Sequence, residues 1–117
     1  CEFAVLPSRW EMSPLTPLEV FSCKKTVIST NAHGIPYVVI NGKNGLLVPP
    51  ENPKKITECI IKLLKDDKMR DRLGNEGFDM VQKECNSKIM AQHILQVYSL
   101  VLNKWRKNKE YNVRIID

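Results

Sequence analysis

The sequence holds no apolar run approaching the roughly 20 residues that a membrane-spanning helix needs. Its longest runs, such as Tyr37 to Ile40 and Gly45 to Pro50, are far shorter. Its four cysteines, Cys1, Cys23, Cys59 and Cys85, form no CxxC pair, so the spacing that clamps zinc is missing and no metal site is expected. Glycine is scarce, with 5 residues in 117. None is set in GxxxxGK[ST], so Gly42-Lys43 is not a P-loop. There is no internal repeat and no low-complexity segment. Charge is not one-sided either: 18 Lys+Arg against 13 Asp+Glu leave a net charge of +5. With 43% hydrophobic and 26% charged residues, disorder and collagen-like repeats are excluded. The start, Cys1-Glu2-Phe3-Ala4-Val5-Leu6-Pro7, lacks an initiator Met and a basic n-region. It does not read as a secretory signal, and the chain is expected to be a fragment of a longer protein.

What is present is an alternation of strand and helix signals. Phe3 to Leu6, stopped by Pro7-Ser8, is expected to form a strand buried on both faces of a parallel sheet. In Thr16-Pro17-Leu18-Glu19 a hydroxyl residue precedes Pro, with Glu three positions on. This pattern predicts a helix from about Pro17 to Cys23. Lys25 to Thr30 is β-branched and makes a second strand. Asn31 to Pro36 is a loop, Tyr37 to Ile40 a short apolar element, and Asn41-Gly42-Lys43-Asn44-Gly45 a turn whose two glycines suit positive φ. Gly45 to Val48 is a third strand.

Between Pro53 and Asp66 the apolar residues Ile56, Cys59, Ile60, Leu63 and Leu64 keep helical spacing. Cys59 lies on that stripe, where a free thiol packs as a small hydrophobe. This reads as a reducing compartment, by default the cytoplasm, rather than a disulfide scaffold. Asp67 to Glu84 is expected to be helical with Met69, Leu73 and Val81 inward. Gly74 and Gly77 weaken it by about 1 kcal/mol each relative to Ala and are points where it would break. Asn86-Ser87 caps a final helix in which Met90, Ile94, Val97, Tyr98, Val101, Leu102 and Trp105 keep the period. The order predicts an α/β fold with a short parallel sheet and flanking helices over residues 1–103. A basic tail follows over 104–117.

Ligands of open α/β sheets bind outside the carboxyl ends of the strands. Here that place is taken by the loop from Ser8 to Thr16. Pro14 and Pro17 lack an N–H, so the backbone donors toward an anion are Met12, Ser13, Leu15 and Thr16. Glu11 and Glu19 flank them. Carboxylates accept hydrogen bonds from hydroxyls, so donors between two carboxylates suit a diphosphate with sugar hydroxyls at both ends. Taken alone, the spacing of Glu19 favours the third residue of a capping box on Thr16, and Glu11 reads equally as a solvated acid.

Glu11-x7-Glu19, set in Phe-Ala-Val-Leu-Pro-Ser-Arg-Trp-Glu-Met-Ser-Pro-Leu-Thr-Pro-Leu-Glu, closely resembles the E-x7-E motif of the family 4 (group 1) retaining glycosyltransferases of the GT-B fold. Thr26 to Thr30, His33-Gly34-Ile35-Pro36, Asn41 to Pro50 and Leu73 to Gly77 look like that family's successive segments, so the likeness runs to about Leu102. The resemblance implies the second half of a C-terminal, Rossmann-like donor domain facing an N-terminal domain across a cleft. It implies a nucleoside-diphosphate sugar as donor, with Glu11 on the sugar hydroxyls near the reacting carbon and Glu19 on the ribose. The backbone of Met12, Ser13, Leu15 and Thr16 would line the sugar and diphosphate, with no further cofactor. The acceptor, a saccharide or a lipid-linked group, would be bound by the missing N-terminal half, so the isolated chain is expected to be inactive. Lipid-linked acceptors are common in the family and would put the parent enzyme at the membrane periphery. The chain departs from the family pattern at Met12 and Ser13, where Gly and an aromatic are usual. It also has Lys24 in place of a helix-ending Gly, Ala32 in place of the first of two glycines, and Tyr37 where an acid is frequent.

Two other readings compete. The chain as given could be a non-catalytic α/β remnant or interaction module without donor binding. The stretch Lys104, Arg106, Lys107, Lys109 and Arg114 against Glu110 could also meet anionic lipid or nucleic acid. Only Trp105 and Tyr111 interleave it, too few for base stacking, so it reads as a solvated end and nucleic acid is not expected as a partner. His33 and His93 read as structural, with His33 in a loop that the resemblance places near the donor cleft.

Overall fold

A computed structural model describes residues 1–113, with side chains through 107. Arg114 of the expected basic tail lies outside the described residues, as do the side chains of Lys109, Glu110 and Tyr111. The chain divides into two compact units, Cys1–Lys83 and a second from Glu84 onward.

The first unit is a three-stranded parallel sheet in the order β1 (Phe3–Leu6), β2 (Thr26–Thr30), β3 (Gly45–Val48). The helices are α1 (Thr16–Ser22), α2 (Pro53–Lys65) and α3 (Asp67–Glu84). Every residue of β2 is buried because it is the central strand. Successive side chains of a strand point to opposite faces, so Val27 and Ile28 serve two different cores. Val27 joins Phe21, Ala32, Ile35, Val39 and Val81; Ile28 joins Leu46, Leu63 and Leu73. β1 departs from the expected two-sided burial. It lies at the sheet edge, and its Val5 is 39% exposed.

Buried hydroxyls tie the central strand to its surroundings. Thr26 Oγ1 donates to the Asn44 carbonyl at 3.0 Å and Ser29 Oγ to the Leu6 carbonyl at 3.0 Å. Thr30 Oγ1 donates to the Ser8 carbonyl. A buried hydroxyl needs such a partner to offset its desolvation. The Leu6 and Ser8 carbonyls fix where β1 ends and the next loop begins, and the Asn44 carbonyl fixes the approach to β3.

Helix α1 starts one residue earlier than expected. Leu15 is its N-cap residue, and no side chain caps the first turn, so Thr16 and Glu19 do not form a capping box. The helix ends in a Schellman arrangement, in which the Lys25 N–H donates to the Val20 carbonyl at 3.2 Å and the Lys24 N–H to Phe21 at 2.9 Å. Lys24 takes φ 56, the left-handed conformation for which glycine is usual.

Four expectations about glycines, local elements and burial change. α3 is continuous through Gly74 and Gly77. Both are buried where a side chain would not fit: a Cβ on Gly74 would meet the Lys24 backbone, with its carbonyl carbon at 2.8 Å. One on Gly77 would meet the Phe21 ring, with Cγ at 2.7 Å. The glycines therefore let α3 pack closely on the end of α1. Of the two in the 41–45 turn, only Gly42 has positive φ (75°); Gly45 opens β3, where a Cβ would meet the Val27 oxygen at 2.7 Å. The Tyr37 to Ile40 element is replaced by a 3-10 turn at Ile35–Tyr37. In α2, Leu63 is buried, while Leu64 on the expected apolar stripe is exposed.

The second unit is α4 (Ser87–Val113), which runs through the start of the expected basic tail. Its N-terminus is capped by Asn86, whose Oδ1 accepts the Ile89 N–H at 3.0 Å. Met90, Ile94, Val97, Tyr98, Val101, Leu102 and Trp105 are exposed. No helix among the described residues is long and apolar enough to cross a membrane.

Candidate functional site

The loop between β1 and α1 lies at the carboxyl edge of the sheet, and three contacts shape it. Thr30 holds its first turn through the Ser8 carbonyl. The Gly34 N–H donates to the Glu11 carbonyl at 2.7 Å, bringing the 31–36 loop beneath the middle of the segment. Pro14 and Pro17 are buried and anchor its far end. At Gly34 the two loops meet so closely that a Cβ would fall on the Met12 carbonyl, with the Glu11 oxygen at 3.0 Å. The left-handed residue of the 31–36 loop is His33 (φ 43), one position after Ala32. Its ring packs on Trp10 with centroids 5.6 Å apart.

On this frame Glu11 is half-buried, and its Oε1 accepts the Ser8 hydroxyl at 3.3 Å. Met12, Ser13, Leu15, Thr16 and Glu19 are exposed. Among the described residues, no hydrogen bond or ion pair engages the Glu19 carboxylate or joins it to Glu11, and no backbone hydrogen bond engages the N–H of Met12, Ser13, Leu15 or Thr16. α1 has only seven residues, so its dipole adds little, and attraction for an anion rests on the loop amides.

Three features of the site were not legible in the sequence. Arg9 forms an ion pair with Glu51, Nε to Oε1 at 3.3 Å, across 42 positions of the chain. Glu51 itself adopts φ 57. Thr30 and Gly34 support the loop through contacts distant in sequence, and the β-branched pattern around Thr30 signalled only a strand. Cys59 is half-buried, and burial pushes its thiol pKa up. No group of three or more His, Cys, Asp or Glu side chains converges among the described residues.

An exposed, donor-bearing loop between two carboxylates thus lies at the carboxyl edge of a parallel sheet, the place where open α/β sheets take their ligands. Residues 1–80 match the family of glycosyl transferases group 1, and the chain belongs to that family. A curated relative from Methanocaldococcus jannaschii, an uncharacterized glycosyltransferase, is 37% identical over 83 residues, covering 71% of this chain and 24% of the relative. Sucrose-phosphate synthase from Thermosynechococcus elongatus superimposes with a TM-score of 0.84 at 29% identity, covering 89% of this chain and 26% of that one. HepE of Anabaena, solved in complex with UDP, superimposes with a TM-score of 0.81 at 20% identity, covering 85% and 28%. The chain thus spans about a quarter of each. Its architecture is that of part of the C-terminal domain of a GT-B glycosyltransferase.

Proposed function

We propose that the chain is the donor-binding portion of a retaining, family 4 glycosyltransferase and that its site holds a nucleoside-diphosphate sugar. The observation that carries this reading is the state of Glu19. Its carboxylate is exposed and is not used to cap α1, which leaves it available to accept hydrogen bonds from ribose hydroxyls. Glu11, braced by Ser8, would receive the donor sugar's hydroxyls, and the amides of Met12, Ser13, Leu15 and Thr16 would line the sugar and diphosphate. HepE, with its bound UDP, supports the choice of ligand class.

In the reaction an acceptor hydroxyl would attack the anomeric carbon as the nucleoside diphosphate departs, through an oxocarbenium-like transition state. Glu11 acts in this scheme by position and by its negative charge beside the developing cation. The acceptor and the N-terminal half complete the enzyme, so the chain alone binds donor without turning it over. The parent works in the cytoplasm, at the membrane periphery when its acceptor is lipid-linked.

The test is a titration of the chain with UDP-, GDP- and ADP-sugars followed by amide NMR. Shifts clustered from Met12 to Glu19 with one nucleotide are expected. A dispersed spectrum unmoved by all three would instead favour a folded remnant without donor binding.

A further inference from the structure

We propose that His33 is a positioning residue that fixes Glu11 through the ring of Trp10; its part in the reaction rests on the assignment of Glu11 to the donor sugar above. Four consecutive residues of the β1–α1 loop are each held by a residue from elsewhere in the chain. Thr30 donates to the Ser8 carbonyl, and Glu51 pairs with Arg9 at 3.3 Å. His33 packs on Trp10 with ring centroids 5.6 Å apart, and the Gly34 N–H donates to the Glu11 carbonyl at 2.7 Å. The grip ends at Glu11, where the exposed stretch Met12-Ser13 begins.

The backbone at His33 shows what this contact is worth. Among the described residues, Lys24, His33 and Glu51 take left-handed φ without being glycine. Lys24 closes α1, whereas the other two place their side chains on neighbouring residues of one loop, His33 on Trp10 and Glu51 on Arg9. Glycine adopts this conformation without steric cost and other residues do not. A side chain at position 33 (φ 43) therefore costs stability, and burial does not offset it, because His33 is exposed. What the imidazole gains is the Trp10 ring, tilted by 56°, at a separation within the range of favourable aromatic pairs. Strained residues of this kind gather where a structure pre-sets a ligand-binding group. Trp10 is itself 61% exposed, so core packing does not fix its ring. The hydrogen bond at the Glu11 carbonyl is a single pivot; the ring contact one residue earlier supplies a second point and so sets the direction of the Glu11 side chain. The Ser8 hydroxyl, 3.3 Å from Oε1, makes too long a bond to do this alone. The Arg9–Glu51 pair is well exposed on both sides and adds little.

The experiment compares the whole chain with His33→Gly, Trp10→Ala and the double variant. In the free protein, NMR follows the Trp10 indole N–H and the side-chain carboxyl carbons of Glu11 and Glu19. His33→Gly is expected to move the Trp10 and Glu11 signals and to leave Glu19 in place. It is expected to keep or raise the urea midpoint, since glycine relieves the left-handed φ. With ligand, titrations with UDP-glucose, GDP-mannose and ADP-glucose are set against UDP, GDP and ADP. His33→Gly is expected to weaken the sugar nucleotide that binds by about tenfold, the loss of one hydrogen bond to a carboxylate. The matching nucleoside diphosphate, held through Glu19, should bind as before. Trp10→Ala should do the same, and the double variant no more than either, because His33 acts through Trp10. The proposal is overturned if the free Glu11 signal ignores His33→Gly, if the sugar nucleotide binds that variant as before, if it and its diphosphate weaken together, or if the two substitutions add. Should no nucleotide bind the original chain, the donor reading falls while the free-protein signals still decide whether His33 fixes Glu11, so the two failures are distinguishable.

Discussion

The backbone N–H of Gly34 donates to the carbonyl of Glu11 at 2.7 Å, joining two loops that the sequence holds 23 positions apart and that both border the candidate donor site. The contact is close enough that residue 34 has no room for a side chain. Glycine is required here for close approach, since its φ of −78° is open to any residue.

Gly34→Ala is therefore expected to displace the Glu11–Met12 backbone. Overpacking of this kind costs about 1–3 kcal/mol. Urea unfolding checks the loss, and amide shifts at Glu11 to Ser13 in the free protein check the displacement. An unchanged midpoint and spectrum would show that the loops are not in contact.

Glu19→Gln and Thr16→Ala separate ligand binding from capping. Loss of a capping hydroxyl typically costs about 1 kcal/mol, but no side chain caps α1. Both substitutions are expected to leave stability within about 0.5 kcal/mol of the original. Only Glu19→Gln should weaken the response to the donor nucleotide. A thermal midpoint lowered by Thr16→Ala would restore the cap.

At the two α3 glycines the expected costs differ. An Ala side chain at Gly74 meets backbone at Lys24, which cannot rotate away, whereas at Gly77 it meets the Phe21 ring. Alanine also gains about 1 kcal/mol of helix propensity at each site, against roughly 1–3 kcal/mol of overpacking. Gly74→Ala is expected to be the more destabilising of the two in denaturant unfolding. A reversed order would mean that the end of α1 yields more readily than the ring.

Cys59 packs beside the Ile28 core cluster, and burial pushes its thiol pKa up. The thiolate is the reactive form, so at mildly alkaline pH Cys59 should alkylate more slowly than exposed Cys23 and catch up on unfolding. Iodoacetamide labelling followed by peptide mass spectrometry measures both rates. Equal rates in the folded chain would place Cys59 at the surface.

Local chemistry is enough to explain what the sequence determined by itself. Apolar runs stopped by Pro specified the first and third strands, the β-branched run Thr26 to Thr30 specified the second, helical spacing around Ile60 specified α2, and the ordered motifs from Glu11 to Gly77 specified the glycosyltransferase family. These signals depend on residues near one another in the chain. Tertiary structure alone decided which strand is central, and hence that Thr26 to Thr30 is buried throughout while Val5 is partly exposed. It turned Gly74 and Gly77 from expected helix breaks into packing contacts, because the cost of a missing side chain depends on what lies opposite. By starting α1 at Thr16 with Leu15 as N-cap residue it ruled out the capping-box alternative for Glu19, and it joined Arg9 to Glu51 and Gly34 to Glu11. Those pairings come from the parallel register of three strands, which sets the loops at their carboxyl ends side by side whatever their separation in sequence.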